Sequence, residues 1–304
     1  MATGPGNPLP VAPQGARLGD ADQQEVLKQG APTIDLEAIE QGLKAGEFFL
    51  EYIPTISFDD GRCVGAEALV RWRRPSGVVS PQDFIPITEN TFLSGLITYW
   101  VVDTVAAELG PWLRSHDDIH LGINIPPDVL GRGALDYVVS KAGLQSVAGK
   151  LVFEVTERGV PDKQGVHALE VAAGRGVRIA LDDVDVGNGN MVVLSRCHVE
   201  IIKLDRGVVG QIVRDDSPPK WVAALSALLR TTPLEVIAEG VETAEQLRVL
   251  RAAGVKRGQG YYFSRPLPAA AFLAFFHSRR EPPTDGEARE RAAEVRHPRP
   301  IEAS

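Results

Sequence analysis

The chain has 304 residues, of which 44% are apolar and 24% are charged. These values are ordinary for a soluble globular protein and exclude wholesale disorder. The 32 basic and 40 acidic residues give a formal net charge of −8, so a general binder of DNA or RNA polymers is not expected. The two cysteines cannot build a disulfide framework, and no Cys/His spacing suits zinc.

The two ends of the chain differ from its middle. Residues 1–32 are rich in Pro, Gly, Gln and Ala, and residues 278–304 are dense in Arg, Glu and Pro. Neither end can bury enough apolar surface to offset its conformational entropy, so we expect disordered tails around one domain at residues 33–277. No signal peptide and no apolar stretch of ~18 residues is visible. If the chain is complete, this predicts a cytoplasmic protein without a membrane partner.

Strand-like and helical segments alternate in the middle of the chain. Two strands are predicted at residues 48–57 and 63–72, and the Asp59-Asp60-Gly61 turn between them is so short that it can join only antiparallel strands. Further strand-like runs follow at residues 120–125, 150–155, 177–181, 200–204, 235–238 and 258–262. Helical patterns lie at residues 36–44, 96–113, 166–174, 220–229 and 244–253. This alternation is typical of parallel βα units, so we predict an α/β fold, a TIM-like (β/α)8 barrel with an antiparallel first strand.

Polar side chains recur at or near the C-terminal ends of these strands, where barrels of this kind build their active sites. They are Glu67, Asn124, Glu154, Glu157, Asp182, Asp183, Lys203, Glu239 and Gln259. Two like charges ~4 Å apart repel by about 4 kcal/mol at an effective dielectric of 20. Either some of these acids are protonated, or cations lie among them.

The donor atoms in this set are hard oxygens, which suit Mg²⁺ or Mn²⁺ better than zinc or copper. The adjacent Asp182 and Asp183 could bridge a pair of ions about 4 Å apart, an arrangement that activates a water and clamps a phosphodiester. Lys203 could orient that water or neutralise developing charge. For any single acid the alternative is a solvated loop residue or a helix cap.

Eight short segments carry a resemblance to a known family. In chain order they are GAEALVRW (65–72), SPQDFIPITE (80–89), INIPP (123–127), FEVTE (153–157), ALDDV (180–184), IIKLD (201–205), AEGVET (238–243) and QGYYFSRPL (259–267). Together they closely resemble the EAL domains, the cyclic di-GMP phosphodiesterases of bacteria, over residues 34–276. The resemblance implies an EAL-type barrel with an antiparallel first strand. It also implies a signalling enzyme that opens cyclic di-GMP to linear pGpG with two Mg²⁺ or Mn²⁺ ions.

The resemblance also implies roles for individual residues. The implied metal ligands are Glu67, Asn124, Glu154, Asp182, Asp183 and Glu239, and the implied catalytic residues are Lys203, which would position or activate the water, with Glu239 and Glu67. Arg71 would contact a substrate phosphate, with a salt bridge to a neighbouring acid as the alternative. Gln259 would help to hold the ligand network. Glu242 would lie on the guanine side or cap the following helix, and Glu157 would brace the loop after the fifth strand.

Two departures from the family pattern keep a second function open. The loop after the paired aspartates reads D-V-D-V-G-N-G-N at residues 183–190 where the family usually has D-F-G-T-G-Y-S-S, so Asp185 replaces a glycine. Ile53 stands where the family commonly has a glutamine that contacts the ligand. The second hypothesis is therefore a cyclic di-GMP receptor or protein-interaction module with negligible turnover, and the third is a different phosphoesterase on the same barrel. A homodimer is possible, although the changed loop lies next to the family's dimer contact.

Overall fold

A computed structural model describes residues 34–130, 139–156, 163–184, 198–214 and 217–280. Its strands are β1 (Phe48–Ser57), β2 (Cys63–Arg74), β3 (Gly77–Val79), β4 (His120–Asn124), β5 (Leu151–Thr156), β6 (Arg178–Val184), β7 (Ile201–Leu204), β8 (Glu235–Ala238) and β9 (Arg257–Gly258). Its α-helices are α1 (Leu36–Lys44), α2 (Pro81–Thr88), α3 (Phe92–Ser115), α4 (Lys163–Gly174), α5 (Arg206–Val209), α6 (Lys220–Thr231), α7 (Ala244–Ala253) and α8 (Ala269–Ser278), and a 3₁₀ helix spans Gln145–Lys150.

Eight of the described strands close into a barrel. The order around it is β1-β9-β8-β7-β6-β5-β4-β2, the β1–β2 pairing closes the ring, and β3 is attached to β2 outside it. β1 is antiparallel to both of its neighbours, β2 and β9, and all the other pairings around the described barrel are parallel. The predicted barrel with a reversed first strand is therefore confirmed.

Several boundaries differ from the sequence-based expectation. The last strand covers Arg257–Gly258 rather than residues 258–262, because the carbonyl of Gly260 accepts from the N–H groups of Phe263 and Ser264 and turns the chain away from the sheet. Strand β3 and helices α2 and α8 were not anticipated. Helix α8 continues to Ser278, and Arg280 bonds to Asp118, so the described domain extends past residue 277. The tails expected at residues 1–32 and beyond Arg280 lie outside the described residues.

The strand register sorts the barrel interior into layers, because side chains alternate between the two faces of a strand. A floor of polar side chains is formed by His120, Arg178, Glu235 and Arg257, in which Glu235 pairs with Arg178 at 2.9 Å and with Arg257 at 3.0 Å. Above it lies a thin apolar layer of Val152, Ala180, Ile201 and Ile237. The apolar layer separates the floor from the opposite end of the barrel, where the strands end in the polar residues described below.

Helix α3 is the longest described helix and packs against the outside of the barrel. Thr91 caps its N-terminus, and Glu108 on the helix accepts a hydrogen bond of 2.7 Å from Tyr52 of β1. By length and composition alone α3 could cross a membrane, contrary to the expectation that the chain has no stretch long enough. In the described structure α3 is a core helix of the domain, because its residues Leu93, Val102 and Leu109 are fully buried in the main hydrophobic core.

The buried His120 predicts how stability depends on pH. Burial, followed by the charges of Arg257 and Arg178, lowers the pKa of His120 from 6.5 to about 3. The unfolded chain therefore takes up a proton as the pH falls below 6.5 while the folded chain does not until about pH 3. The stability from neutral His120 is present above pH 6.5 and is lost progressively toward pH 3, with a loss on the order of 2 kcal/mol between pH 6.5 and 4.5.

Urea denaturation at pH 6.5 and 4.5 measures this effect. His120→Gln, which does not titrate, should lose less of its unfolding free energy over this interval than the unsubstituted protein. The control is His167→Gln, since the His167 side chain is 76% exposed on α4. Equal pH dependence in all three proteins would contradict the assignment.

Candidate active site

The strand register brings the predicted polar residues together at one end of the barrel. Glu67 lies beside Gly122, Asn124 beside Glu154, and Thr156 beside Asp182 in neighbouring strands. We call the resulting group the mouth cluster: Glu67, Asn124, Glu154, Asp182, Asp183, Lys203, Glu239 and Gln259. Distant segments of the chain thus contribute to one small polar site, as the positions of these residues near strand ends predicted.

Lys203 lies at the centre of the mouth cluster and is 1% exposed. Its Nζ atom lies 2.7 Å from Glu154, 2.7 Å from Glu239, 2.9 Å from Glu67 and 3.1 Å from Asp182. One buried ammonium group therefore contacts four carboxylates. Because buried charges are tolerated only when they are paired, Lys203 is what allows these acids to share the site.

Two amide side chains hold the carboxylates in place. Asn124 donates to Glu67 at 2.8 Å, and Gln259 donates to Glu67 at 2.6 Å and to Glu239 at 3.1 Å. The carbonyl oxygen of Gln259 accepts from the buried Thr55 hydroxyl at 3.4 Å. Thr55 was missed by the sequence reasoning, because a threonine within a strand carries no signal that distinguishes it from an ordinary barrel residue.

Asp183 has an unusual backbone conformation. Its φ is 56°, and the β6–β7 register shifts between Leu181 and Val184. In a regular strand neighbouring side chains point to opposite faces, whereas this bulge lets Asp182 and Asp183 offer oxygens to the same site. Aspartate tolerates the left-handed region better than most residues but still incurs strain there. Adjacent aspartates were visible in the sequence, but the bulge that makes them work together was not.

Gly122 makes room for one of the acids. A Cβ atom at this position would lie only 2.1 Å from Oε1 of Glu154. The Glu154 carboxylate therefore occupies the space that a side chain on β4 would fill. The close approach of Glu154 to Glu67 and Lys203 depends on this glycine.

Burial dominates the proton equilibria of the acids. Burial, reinforced by the charge of Glu67, raises the pKa of Glu154 well above its usual value. Burial also raises the pKa of Asp182 and raises that of Glu239 to about 8. Glu67 differs, because Lys203 and its hydrogen bonds from Gln259 and Asn124 outweigh burial and lower its pKa.

The charge of Lys203 is stabilised by the same contacts. Burial acts to lower the pKa of Lys203, but the four carboxylates around it raise the pKa well above 10.5. Lys203 is therefore an ammonium group that can only donate hydrogen bonds. With all five acids ionised the mouth cluster would carry a net charge of −4, so one ammonium does not neutralise it and further positive charge would be favourable.

The donor set fits divalent metal ions. Glu67, Glu154 and Asp182 form one triad, and Asp182, Asp183 and Glu239 form a second, with the oxygens of each triad within 4.8 Å of one another. Oδ1 of Asp182, the residue the triads share, is buried and accepts no hydrogen bond in the described structure, although it lies 3.1 Å from Lys203. A buried carboxylate that is shared by two triads of hard oxygen ligands suits a site for divalent cations.

Comparisons with known proteins decide the family. A family model described as the EAL domain matches residues 36–266. The chain belongs to the EAL domain family. It is 32% identical over 245 residues to the bifunctional diguanylate cyclase/cyclic di-GMP phosphodiesterase MucR of Pseudomonas aeruginosa, a match that covers 79% of this chain and 36% of MucR. It is 30% identical over 239 residues to the probable cyclic di-GMP phosphodiesterase PdeB of Escherichia coli, covering 77% of this chain and 46% of PdeB.

A solved structure of the PaMucR phosphodiesterase in complex with c-di-GMP has the same fold. Its TM-score to this EAL domain is 0.70 at 31% identity, and the match covers 78% of this chain and 99% of that chain. The curated relatives are longer, since this chain spans between about a third and a half of the length of the first ones it matches.

A cavity of about 390 Å³ opens beside the mouth cluster of this EAL domain. Asn124, Glu154 and Arg71 form part of its wall, and Ile85, Ile97, Val101 and four prolines, Pro81, Pro86, Pro126 and Pro127, contribute apolar surface. The cavity therefore combines a cation with an apolar wall next to the acids, which suits a ligand with both a phosphate and a flat base.

Of the remaining predicted residues, the structure describes Arg71 and Glu242, which lie outside the mouth cluster. Arg71 pairs with Glu51 at 2.8 Å, so the salt bridge that the sequence left open is present. The Glu242 side chain is exposed; its backbone N–H donates to Gln246, while Thr243 rather than Glu242 caps α7. Glu157 and the variant loop at residues 185–190 lie outside the described residues.

Substitution of Gly122 tests the geometry of the site. In Gly122→Ala the new methyl group must displace the Glu154 carboxylate, which we expect to weaken Mn²⁺ binding about tenfold and to destabilise the fold by about 1–3 kcal/mol. Isothermal titration calorimetry and urea denaturation measure the two effects.

The matched control for this substitution is Gly95→Ala. Gly95 lies within α3, where a new Cβ atom would be no closer than 4.0 Å to the Tyr99 ring. That variant should bind Mn²⁺ normally and be at least as stable. Unchanged Mn²⁺ affinity in Gly122→Ala would show that the position of Glu154 is unimportant for the site.

Proposed function

We propose that this EAL domain hydrolyses cyclic di-GMP to linear pGpG with two Mg²⁺ or Mn²⁺ ions bound at the mouth cluster. One observation carries the proposal: two acid triads share Asp182 beside a cavity lined by Arg71. The names of MucR and PdeB and the c-di-GMP complex of PaMucR support this substrate.

Six residues would hold the ions. Glu67, Glu154 and Asp182, with the carbonyl oxygen of Asn124, would hold one ion, and Asp182, Asp183 and Glu239 would hold the other. When bound, such a pair supplies positive charge beside the phosphate and makes a water easier to deprotonate. Each acid must be deprotonated to serve as a ligand. The positive charge of the ions would favour the deprotonated forms of Glu154, Asp182 and Glu239, whose pKa values are raised by burial.

Lys203 would act on the attacking water. Its Nζ atom is charged and carries three N–H donors, so it can donate to the water oxygen and stabilise the hydroxide form that attacks phosphorus. The same positive charge would offset the negative charge that develops on the phosphoryl oxygens. Glu67 and Glu239 keep Nζ in place through contacts of 2.9 and 2.7 Å.

Arg71 and the cavity would hold the rest of the substrate. A guanidinium fork matches the oxygens of a phosphate, and the apolar wall gives a base a surface to pack against. We also propose that Gln259 stabilises the ligand network, that Glu242 faces the guanine, and that Glu157 braces the neighbouring loop. Action in the bacterial cytoplasm and homodimer formation stay predictions from the sequence.

A second candidate function is cyclic di-GMP binding without turnover. It is favoured by Ile53, which lies directly across from Glu67 in the β1–β2 ladder and cannot make the hydrogen bond of a glutamine there. The loss of one such bond weakens binding by ~1 kcal/mol. The unusual loop at residues 184–190 favours the same candidate.

A hydrolysis assay separates the two functions. With Mg²⁺ or Mn²⁺ the purified protein should convert cyclic di-GMP to pGpG, measured by chromatography, and EDTA should stop the reaction. Glu67→Ala should abolish turnover, because it removes a proposed ligand that also holds Lys203. Glu245→Ala should leave turnover unchanged, since Glu245 pairs with Arg248 on α7 and is not part of the mouth cluster.

Binding without product with either ion would favour the receptor function. In that case Asp185→Gly, which restores the family residue, should raise the rate if the loop limits turnover. If the protein neither binds nor hydrolyses cyclic di-GMP, the proposed function is wrong.

A further inference from the structure

Strands β1 and β2 continue beyond the barrel wall as a two-stranded ribbon. The parallel pairing of β2 with β4 ends at Ala68, whereas its antiparallel pairing with β1 continues to Trp72, which lies across from Phe48. We call residues 48–52 with residues 68–72 the mouth ribbon. At ~3.4 Å per residue, Arg71 lies about 14 Å along β2 from Glu67, which places it above the mouth cluster.

One face of the mouth ribbon continues the inner face of the barrel. Alternation along β2 puts Leu69 and Arg71 on the same face as Glu67. Residues directly across an antiparallel ladder share a face, so Glu51, which lies across from Leu69, is on this face too. The opposite face of the ribbon points away from the barrel interior and is buried. On that face Trp72 stacks on Phe48 and donates to Glu47 at 2.9 Å.

Glu51 fixes the orientation of the Arg71 guanidinium. Nε of Arg71 donates to Oε2 of Glu51 at 2.8 Å, and its Nη1 group donates to the carbonyl of Val70 at 3.0 Å. These two contacts on different sides of the planar group leave little rotational freedom. Among the described residues, the Nη2 group and one N–H of Nη1 make no hydrogen bond, so they remain for a ligand in the cavity that Arg71 lines.

From these contacts we infer that Glu51 is a positioning residue for substrate binding, acting through Arg71; the inference rests on the proposed function of the site. A long arginine side chain loses rotamer freedom when it binds a phosphate. Glu51 imposes that loss before the substrate arrives. Its contribution is therefore to affinity rather than to the chemical step, because Arg71 lies about 14 Å along β2 from Glu67, the residue that contacts Lys203.

The pair is not placed to stabilise the fold. The side chains of Arg71 and Glu51 are 18% and 27% exposed, and ion pairs that retain contact with water contribute little to stability. The neighbouring Arg73, on the same face, packs on an aromatic ring. Its guanidinium lies 4.4 Å from the centre of the Phe49 ring, whereas Arg71 is held by an acid. The negative charge of Glu51 weakens the attraction of Arg71 for a phosphate. The gain in substrate affinity must therefore come from the fixed orientation of the Arg71 guanidinium.

Steady-state kinetics and binding test the inference. Glu51→Ala should raise KM for cyclic di-GMP about 5- to 10-fold, the loss expected when one long side chain must be ordered on binding, with kcat changed less than about twofold. Glu51→Gln should restore KM to within about twofold, because its amide oxygen still accepts from Nε. Calorimetric affinity for cyclic di-GMP in Ca²⁺, with no turnover during the titration, should follow KM.

Two further variants separate orientation from other effects. Once Arg71→Ala has raised KM, adding Glu51→Ala should raise it no further, because Glu51 acts only through Arg71. Glu47→Ala, on the opposite face of the ribbon, should leave KM unchanged even if it lowers the stability of the ribbon.

Distinct results would overturn the inference and the proposed function. If the unsubstituted protein hydrolyses cyclic di-GMP but Glu51→Ala leaves KM unchanged or lowers it, or if Glu51→Gln is as defective as Glu51→Ala, Glu51 does not position Arg71. If the unsubstituted protein neither binds nor hydrolyses cyclic di-GMP, the proposed function itself has failed.

Discussion

The contact of one buried ammonium group with four carboxylates is the interaction on which the rest of the site depends. Lys203 lies within 3.1 Å of Glu67, Glu154, Asp182 and Glu239, in an interior where isolated charges are very costly. Without Lys203 these acids would have to separate or keep their protons. The barrel can therefore hold a concentrated negative site before any metal ion arrives, and the excess of acids leaves the site attractive to cations.

Backbone geometry turns this concentration of acids into two triads. The left-handed conformation of Asp183 lets neighbouring aspartates face one site, and the missing side chain at Gly122 admits the Glu154 carboxylate. Neither feature improves the local strand, since the first adds strain and the second removes packing. Both are explained if the arrangement of oxygens, rather than strand stability, determines these positions.

Much of the fold and of the site could be predicted from sequence, for identifiable reasons. The short Asp59-Asp60-Gly61 turn gave the reversed first strand, and the regular alternation of strands and helices gave the barrel, which in turn brought Glu67, Asp182 and Lys203 together. The hydrogen bond of Thr55, the bulge at Asp183 and the identity of Glu51 as the acid that pairs with Arg71 could not be predicted, because they depend on strand register and rotamers. Helix α3 shows another limit of prediction from sequence, since the composition of an apolar helix alone does not distinguish a core helix from a membrane span.

The central claim is that Lys203 stabilises the acids and that metal ions can take over this role. Urea denaturation of Lys203→Met in EDTA and in Mn²⁺ tests it most directly, with Lys150→Met as the control, because Lys150 bonds to Leu113 and Asp117, outside the mouth cluster. In EDTA, Lys203→Met should lose about 3–5 kcal/mol of unfolding free energy, and Mn²⁺ should stabilise it more than it stabilises the unsubstituted protein. Equal stability of Lys203→Met and the unsubstituted protein in EDTA, or no response of either to Mn²⁺, would contradict the account.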